Sequence, residues 1–221
     1  MAENINNVSQ EVIATYGKYK ARSHNTTNEI HLQELEQRKD EPFDVVLIGD
    51  SMLERLKTTG ASTKTAHMPS AFNAGVGGDK IENVLYRLGT LGMMTKLSDK
   101  GVKLWVVMIG ANNLKKALKP EEIKLYRLLL QALLKMSPTG KIISCEIFKR
   151  KDIDDAHVDE SNRLLQGVVK EMNDSLGEER IFWQAAPASI TKDNLQDHVH
   201  LNREAYGIWD DTLYPRIQEL L

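Results

Sequence analysis

The strongest constraint on the fold is a repeated pairing of a short apolar segment with a longer segment of helical periodicity. Residues 43–48, 102–109 and 141–147 are rich in valine, isoleucine and leucine, and each is followed by a stretch with helical spacing of apolar residues. Strands that are apolar along their whole length are typical of a parallel sheet that helices cover on both faces. The sequence therefore predicts an α/β fold, specifically a three-layer α/β/α sandwich.

Weaker patterns complete this prediction. Two shorter apolar runs, residues 71–73 and 181–183, are expected to add strands to the sheet, for about five in all. The helical stretches after the second and third of the three longer strands are residues 120–136 and 158–172, and further helices are predicted in residues 79–88 and 203–221. Pro215 is expected to break or kink the last helix, because proline lacks the backbone N–H that a helix interior needs.

The N-terminal part of the chain has a different character. Residues 1–40 are polar and contain no strand pattern, but Ile30, Leu32 and Leu35 predict a short amphipathic helix. No linker rich in proline, glycine or serine interrupts the rest of the chain. We therefore interpret the chain as a helical extension, residues 1–40, that packs on one α/β domain, residues 41–221.

Composition limits the classes of function. The chain has 221 residues with 29 Lys and Arg against 31 Asp and Glu, so its net charge of −2 offers no basic field for nucleic acid. A single cysteine, Cys145, excludes an intramolecular disulfide and fits a reducing compartment. Residues 1–7 lack the pattern of a secretory signal, and no apolar run approaches the roughly 18 residues that span a bilayer. These features predict a cytoplasmic protein.

Polar residues gather where the predicted strands end. They form the segments 49–51, 75–79 and 110–113, each after a strand, and the segment 197–201 before the last helix. In parallel α/β sheets, ligands bind at the carboxyl ends of the strands, where the loops meet. We therefore expect these four segments to form one site.

Ser51, Asp197 and His200 fit the parts of a nucleophilic site. Ser51 follows a strand and begins a helix, a position that exposes its hydroxyl but also suits a helix cap. Asp197 and His200 are three residues apart, so the carboxylate can hold one ring nitrogen while the other faces a hydroxyl. The same segment offers Asp197, His198 and His200 as metal ligands. We favour hydrolysis without a metal, because the sequence shows no further cluster of ligands.

Gly78 and Asn112 fit the role of oxyanion donors. Glycine lets a backbone N–H approach a substrate closely, and an asparagine amide supplies a side-chain donor. Each residue also has a structural alternative, which is a strand-to-helix turn for Gly78 and an Asx turn or cap for Asn112. We assign Asp50 to the local turn beside the serine, and Asp79 to the N-cap of the following helix.

Four segments resemble the sequence blocks of the GDSL or SGNH hydrolases. In chain order they are VVLIGDSMLERL, FNAGVGGDKIENVLYRL, VVMIGANNL and DHVHLNREAYGIW, and together they extend over most of the chain. The spacing and the Gly-Gly-Asp turn look most similar to those of intracellular platelet-activating-factor acetylhydrolase catalytic subunits. The resemblance implies a flavodoxin-like parallel sheet and a serine ester hydrolase that cleaves acetyl or other short-chain acyl esters without a cofactor.

The resemblance also implies a role for each matching residue. Ser51 is the expected nucleophile, Asp197 and His200 are the acid and base, and Gly78 and Asn112 join the Ser51 backbone in the oxyanion hole. The expected partner is a small ester substrate, and since related enzymes often pair, a homodimer is a second expectation.

Three residues beside these blocks depart from the commonest pattern of the family. They are Met52, Ala111 and Asn113. Because residues at these positions can line the acyl pocket, the sequence leaves the acyl length and the leaving group open.

Two other functions fit part of the sequence. Gly75 and Gly77 after a strand resemble a phosphate-binding turn, but Lys80 stands where a dinucleotide fingerprint needs its third glycine. This alternative also leaves Asp197 and His200 unexplained. A non-catalytic interaction protein on the same fold is the second alternative, because fold does not determine function.

Overall fold

A five-stranded, all-parallel sheet forms the centre of the protein. The computed structural model describes residues 8–221, so the sequence observations on residues 1–7 lie outside it. The strands are β1 (Val45–Gly49), β2 (Ala71–Gly75), β3 (Leu104–Met108), β4 (Lys141–Cys145) and β5 (Ile181–Gln184), and their order is β2-β1-β3-β4-β5. Helices cover both faces, which confirms the predicted α/β sandwich and its sheet of about five strands.

The central strands are apolar throughout because both of their faces are buried. Every residue of β1 and of β3 is buried. Successive side chains of a strand point to opposite faces of the sheet. Val46 and Ile48 accordingly pack in the core on one face, whereas Val45 and Leu47 pack in the core on the other.

Nine α-helices occur in residues 8–221. They are α1 (Gln10–Tyr16), α2 (Ala21–Thr26), α3 (Leu32–Gln37), α4 (Ser51–Glu54), α5 (Ile81–Gly89), α6 (Met93–Ser98), α7 (Pro120–Met136), α8 (Asp155–Leu176) and α9 (Arg203–Leu220). The core on the face of Val46 and Ile48, the first core, contains side chains of α1, α3, α5, α6, α7 and α8. The core on the face of Val45 and Leu47, the second core, contains side chains of α4 and α9. No helix within residues 8–221 is long and apolar enough to cross a membrane.

Of the break or kink expected at Pro215, the break does not occur. Helix α9 is continuous from Arg203 to Leu220, with Pro215 inside it. Trp209 and Leu213 before the proline and Ile217 after it are all buried in the second core. Packing on the sheet therefore keeps the helix continuous on both sides of Pro215, although proline removes a hydrogen bond.

The N-terminal segment covers the β2 edge of the sheet. Helix α2 continues through a π-helical turn, Thr27–His31, into α3, so the single short helix expected there is longer and begins earlier. Arg38 donates from its guanidinium to the carbonyl oxygens of Ala71 (3.2 Å) and Pro69 (3.2 Å). The bond to Ala71 occupies an acceptor of the edge strand β2 that would otherwise be open to pairing with another chain, and the bond to Pro69 lies just before the strand.

The connections place the candidate site. Within the sheet, β2 lies next to β1 on one side, and the chain then crosses over so that β3 lies next to β1 on the other side. Gly49, the last residue of β1, lies in register with Gly75 of β2 and Met108 of β3. A reversal of strand order of this kind opens a crevice at the carboxyl ends of the strands.

Candidate active site

Ser51 lies at the end of the central strand β1. Helix α4 begins at Ser51, and the preceding residue Asp50 is its N-cap, whose Oδ1 accepts a hydrogen bond from the Met52 backbone N–H at 3.0 Å. Asp50 therefore has the local role expected from the sequence. A Cβ on Gly49 would lie 1.9 Å from the Met108 carbonyl oxygen, so only glycine lets the chain turn this closely beside β3. Ser51 is 8% exposed, at the carboxyl end of the central strand β1.

The structure brings Ser51 together with Asp197 and His200. His200 Nε2 lies 2.9 Å from Ser51 Oγ, and its Nδ1 lies 2.7 Å from Asp197 Oδ2. A carboxylate can only accept, so Asp197 fixes the proton of the imidazole on Nδ1. Nε2 is then an acceptor that faces the serine hydroxyl, which is the arrangement that a general base requires.

The loop around Asp197 holds this carboxylate in its charged form. Its Oδ1 accepts from the backbone N–H groups of Val199 and His200, both at 2.8 Å. Burial alone would raise the pKa of Asp197, but these hydrogen bonds and the one from the His200 ring outweigh it and hold the pKa below its usual value. An antiparallel bridge between Leu195 and Leu201 closes the loop.

The three residues considered as metal ligands are divided between two places. His198 lies with its Nε2 3.9 Å from Asp152 Oδ2, whereas His200 bonds Ser51 and Asp197. Across the described part of the chain, no group of three or more His, Cys, Asp and Glu side chains is arranged to hold a metal ion.

Gly78 and Asn112 lie on neighbouring turns after β2 and β3. Gly78 has a φ of +74°, in the left-handed region that favours glycine. Asn112 Nδ2 donates to the Asp79 carbonyl oxygen at 2.9 Å and so joins the two turns. The turn is also tied to β1, because the Val76 backbone N–H donates to the Gly49 carbonyl oxygen at 3.1 Å. The structure therefore places Gly78 and Asn112 on turns that are bonded to each other and to β1, the strand that precedes Ser51.

The assignment of Asp79 as a helix N-cap is wrong. Lys80 is the N-cap of α5, and Asp79 points inward instead. Its carboxylate accepts from Arg87 Nε at 2.9 Å and from the Ser23 hydroxyl, and the side chains of Asp79 and Arg87 are fully buried. Arg87 also donates to the carbonyl oxygens of Ala74 (2.8 Å) and Gly49 (3.3 Å). Burial raises the pKa of Asp79, and the facing Arg87 opposes this shift.

Arg87 and Ser23 are two partners of Asp79 that were not predicted from the sequence. Arg87 lies on α5, next to the buried Val84 and Leu88, and a charged residue there within an apolar helix was a usable signal. Ser23 is 56 residues from Asp79 in the chain, and no local pattern indicated their contact.

Met52, Ala111 and Asn113 are all buried beside the site. Met52 packs in the second core, and Ala111 in the first. Asn113 Oδ1 accepts from the Ile81 backbone N–H at 3.1 Å, and its Nδ2 donates to Glu82 Oε2 at 3.0 Å. Asn113 therefore fastens the turn after β3 to α5, and the lining of an acyl pocket by these residues stays a prediction.

Comparisons with known proteins relate this fold to solved structures. No protein-family model matches the chain, and no curated protein matches it by sequence. A GDSL-like lipase from Bacteroides thetaiotaomicron is 15% identical with a TM-score of 0.61, over 95% of this chain and 100% of that one. An acetyl esterase mutant with acetate ion (18%, TM-score 0.60) and a carbohydrate esterase family 3 protein from Talaromyces cellulolyticus (18%, TM-score 0.58) each match over 80% of this chain and 97% of theirs. The chain shares the fold of these proteins.

Proposed function

We propose that the protein is a serine ester hydrolase of the GDSL or SGNH type, which cleaves acetyl or other short-chain acyl esters. The observation that carries this proposal is the continuous hydrogen-bonded series from Ser51 Oγ through the His200 ring to the Asp197 carboxylate. A serine that only capped a helix would not need an oriented imidazole on its hydroxyl. The shared fold with lipases and esterases supports the same function.

In the proposed mechanism, His200 Nε2 removes the hydroxyl proton as Ser51 Oγ attacks the ester carbonyl carbon. The carbonyl oxygen becomes an oxyanion, which the backbone N–H groups of Ser51 and Gly78 and the Asn112 amide stabilise. Asp197 stabilises the imidazolium that forms. Collapse of the intermediate breaks the ester bond, and His200 returns the proton to the departing alcohol.

The acyl-enzyme is then hydrolysed by the same groups. His200 removes a proton from water, whose oxygen attacks the acyl carbon and restores the Ser51 hydroxyl on release of the acid. Every proton in this cycle passes through the His200 ring, so the chemistry uses no cofactor. The lone Cys145 is buried in β4 and fits action in the reducing cytosol, which we include in the proposal.

The acyl specificity rests on the resemblance and on the acetyl esterase among the structural neighbours. A panel of p-nitrophenyl esters from acetate upward measures it directly. We expect kcat/KM to be highest for acetate or for another short acyl chain, and to fall as the chain lengthens.

The decisive experiment is intact mass spectrometry after treatment with a fluorophosphonate, which labels activated serines. We expect one adduct on the wild-type protein and none on Ser51→Ala. Ser161→Ala is the matched control, because Ser161 is fully buried on α8 and its hydroxyl donates to the His157 backbone carbonyl oxygen, not to an imidazole ring. Absence of the adduct on a folded wild-type protein would overturn the proposal and favour a non-catalytic interaction protein.

A further inference from the structure

A buried arginine contacts the turn that carries Asn112. Arg150 lies in the segment between β4 and α8, and its Nη1 donates to the Ala111 carbonyl oxygen at 2.5 Å. That oxygen belongs to the peptide group immediately before the Asn112 Cα. The Arg150 side chain is only 8% exposed. The peptide that leads into Asn112 is therefore fixed by a buried cation.

The Asn112 side chain is anchored on its other side. Its Nδ2 donates to the Asp79 carbonyl oxygen at 2.9 Å. An asparagine amide carries two hydrogens, so one remains for the oxyanion of the proposed mechanism. The direction of this second N–H depends on both anchors, which are the bond to Asp79 and the bond from Arg150 to the preceding peptide group.

Asp152 fixes the guanidinium group of Arg150. Arg150 Nε donates to Asp152 Oδ1 at 2.9 Å, and Nη2 donates to Asp152 Oδ2 at 2.7 Å. A bidentate pair of this kind fixes the plane of the guanidinium group as well as its distance from the carboxylate. With this plane fixed, Nη1 is held at the Ala111 carbonyl oxygen.

Residues 150–152, which we call the bridging segment, are also bonded to the base loop, residues 195–201. The Lys151 backbone N–H donates to the His198 carbonyl oxygen at 2.8 Å, and Lys151 Nζ donates to the Leu195 carbonyl oxygen at 3.1 Å. These two acceptors lie on either side of Asp197 in the chain. The bridging segment therefore connects the loop of the candidate base to the turn of a candidate oxyanion donor.

The charge of Arg150 also acts beside the nucleophile. Burial raises the pKa of Asp50 to about 7, and the hydrogen bond from the Met52 N–H and the positive charge of Arg150 oppose this shift. Asp50 is the N-cap of the helix that begins at Ser51. The guanidinium group thus lies close enough to this end of β1 to interact with the residue before the nucleophile.

We infer that Arg150 is a positioning residue, which holds the turn of Asn112 against the base loop so that the second Asn112 N–H meets the oxyanion. This inference rests on the proposed function, because it concerns the geometry of the same site. Arg150 acts through Asn112 and not on the reacting atoms. Its loss is expected in kcat with little change in KM, because the oxyanion forms only as the reaction approaches its transition state.

The test is a double-mutant cycle on Arg150 and Asn112, with kcat and KM measured for p-nitrophenyl acetate. Arg150→Met removes the donors but keeps an unbranched apolar side chain, and Lys151 still bonds the base loop. We expect Arg150→Met alone to lower kcat roughly ten- to a hundredfold, as for misplacement of one catalytic group. In an Asn112→Ala background, the same substitution should change kcat by less than about twofold, because the group that it positions is gone.

Arg180→Met is the matched control for a purely structural loss. The Arg180 side chain is 13% exposed and donates to the carbonyl oxygens of Ser137 and Gly140. These residues precede β4, so they lie at the edge of the sheet opposite to the site. We expect Arg180→Met to lower the free energy of unfolding, as Arg150→Met does, and to keep the kcat of the wild-type protein.

Asp152→Asn keeps the cycle decisive if Arg150→Met does not fold. It retains the Arg150 side chain and removes one of its two carboxylate acceptors, and Asp152 itself is 41% exposed. We expect a smaller fall in kcat than for Arg150→Met, which again disappears in the Asn112→Ala background.

Equal factors in the two backgrounds would overturn the inference, because Arg150 would then act independently of Asn112. An unchanged kcat in Arg150→Met, or a fall that Arg180→Met matches, would overturn it as well. Failure of the proposed function is distinguishable, because the wild-type protein would then cleave no p-nitrophenyl acetate and form no adduct at Ser51, and the inference would fall with it.

Discussion

The two halves of the candidate site are built in different ways. The base half, Asp197 and His200, comes from four consecutive residues of one loop, and the two side chains are 37% and 18% exposed. The oxyanion half, Gly78 and Asn112, depends on the ion pair between Asp79 and Arg87, whose side chains are fully buried. The candidate base pair is thus held by short local contacts, whereas the turns with the candidate oxyanion donors rest on the buried charge pair of Asp79 and Arg87, which we call the buried frame.

This difference predicts which substitutions lower the catalytic rate and which lower the stability of the fold. Exposed polar groups contribute little to the free energy of unfolding, so changes in the base half should act on catalysis. A buried charge that loses its partner is expensive, so changes behind the oxyanion half should act first on the fold. Three substitutions test this division.

The largest expected effect is that of Asp197→Asn on catalysis. The asparagine Oδ1 can still accept from the two backbone N–H groups, so the loop is retained. Its amide N–H₂ would donate to His200 Nδ1, which moves the ring proton to Nε2 and leaves no acceptor for the Ser51 hydroxyl. We expect kcat for p-nitrophenyl acetate to fall by about 10⁴.

The melting temperature of Asp197→Asn should stay close to that of the wild-type protein. Asp193→Asn, on an exposed turn a few residues earlier, is the control and should keep full activity. If kcat of Asp197→Asn fell less than about tenfold, the base half would not work as described.

Arg87→Met should give the largest loss of stability. It leaves the Asp79 carboxylate buried without its main partner, and it removes the donors to the Ala74 and Gly49 carbonyl oxygens. We expect the free energy of unfolding to fall by about 3–5 kcal/mol, as measured by urea denaturation. Adding Asp79→Asn to this variant should recover part of the loss, since it removes the unpaired charge.

Arg163→Met provides the matched comparison. Arg163 lies on α8, is 68% exposed and pairs with Glu160, so its loss should change stability by less than about 0.5 kcal/mol. A similar small change in Arg87→Met would remove the distinction between an exposed base half and a buried frame.

The difference between the base half and the buried frame also decides which parts of the site can be predicted from the sequence. Asp197 and His200 are predictable because a spacing of three residues brings them together, and Ser51 because it follows an apolar strand. Strands β1 and β3 are predictable for a related reason, since burial on both faces makes them apolar throughout. These features are encoded by residues close in the chain.

The frame depends on contacts between distant residues. Lys20 contacts Gly77, which is 57 residues away in the chain, and Ser23 contacts Asp79, which is 56 residues away. No local sequence pattern predicts either contact. Asp79 shows the consequence, because its position before a helix favours an N-cap, whereas Arg87, eight residues on, and the distant Ser23 draw it inward. Pro215 is a similar case, in which packing overrides the local preference.

The smallest expected effect concerns Asp50, which lies between the two halves. It is fully buried, and burial raises its pKa to about 7. Below about pH 4 both the folded and unfolded chains hold this proton. Between about pH 4 and 7 the folded protein keeps the proton while the unfolded chain releases it, so the contribution of Asp50 to stability is lost as the pH rises.

Asp50→Asn removes this titration and keeps an oxygen to accept from the Met52 N–H. The free energy of unfolding of the variant relative to the wild-type protein should therefore increase by about 1 kcal/mol or more between about pH 4.5 and pH 8.5. Asp154→Asn is the matched control, because Asp154 caps α8 through the same contact, to the Ala156 N–H at 2.9 Å, but is exposed. The free energy of unfolding of Asp154→Asn relative to the wild-type protein should stay constant across this pH range. A constant difference for Asp50→Asn as well would show that the carboxyl beside the nucleophile is solvated like the base half, and that the buried frame does not extend to Ser51.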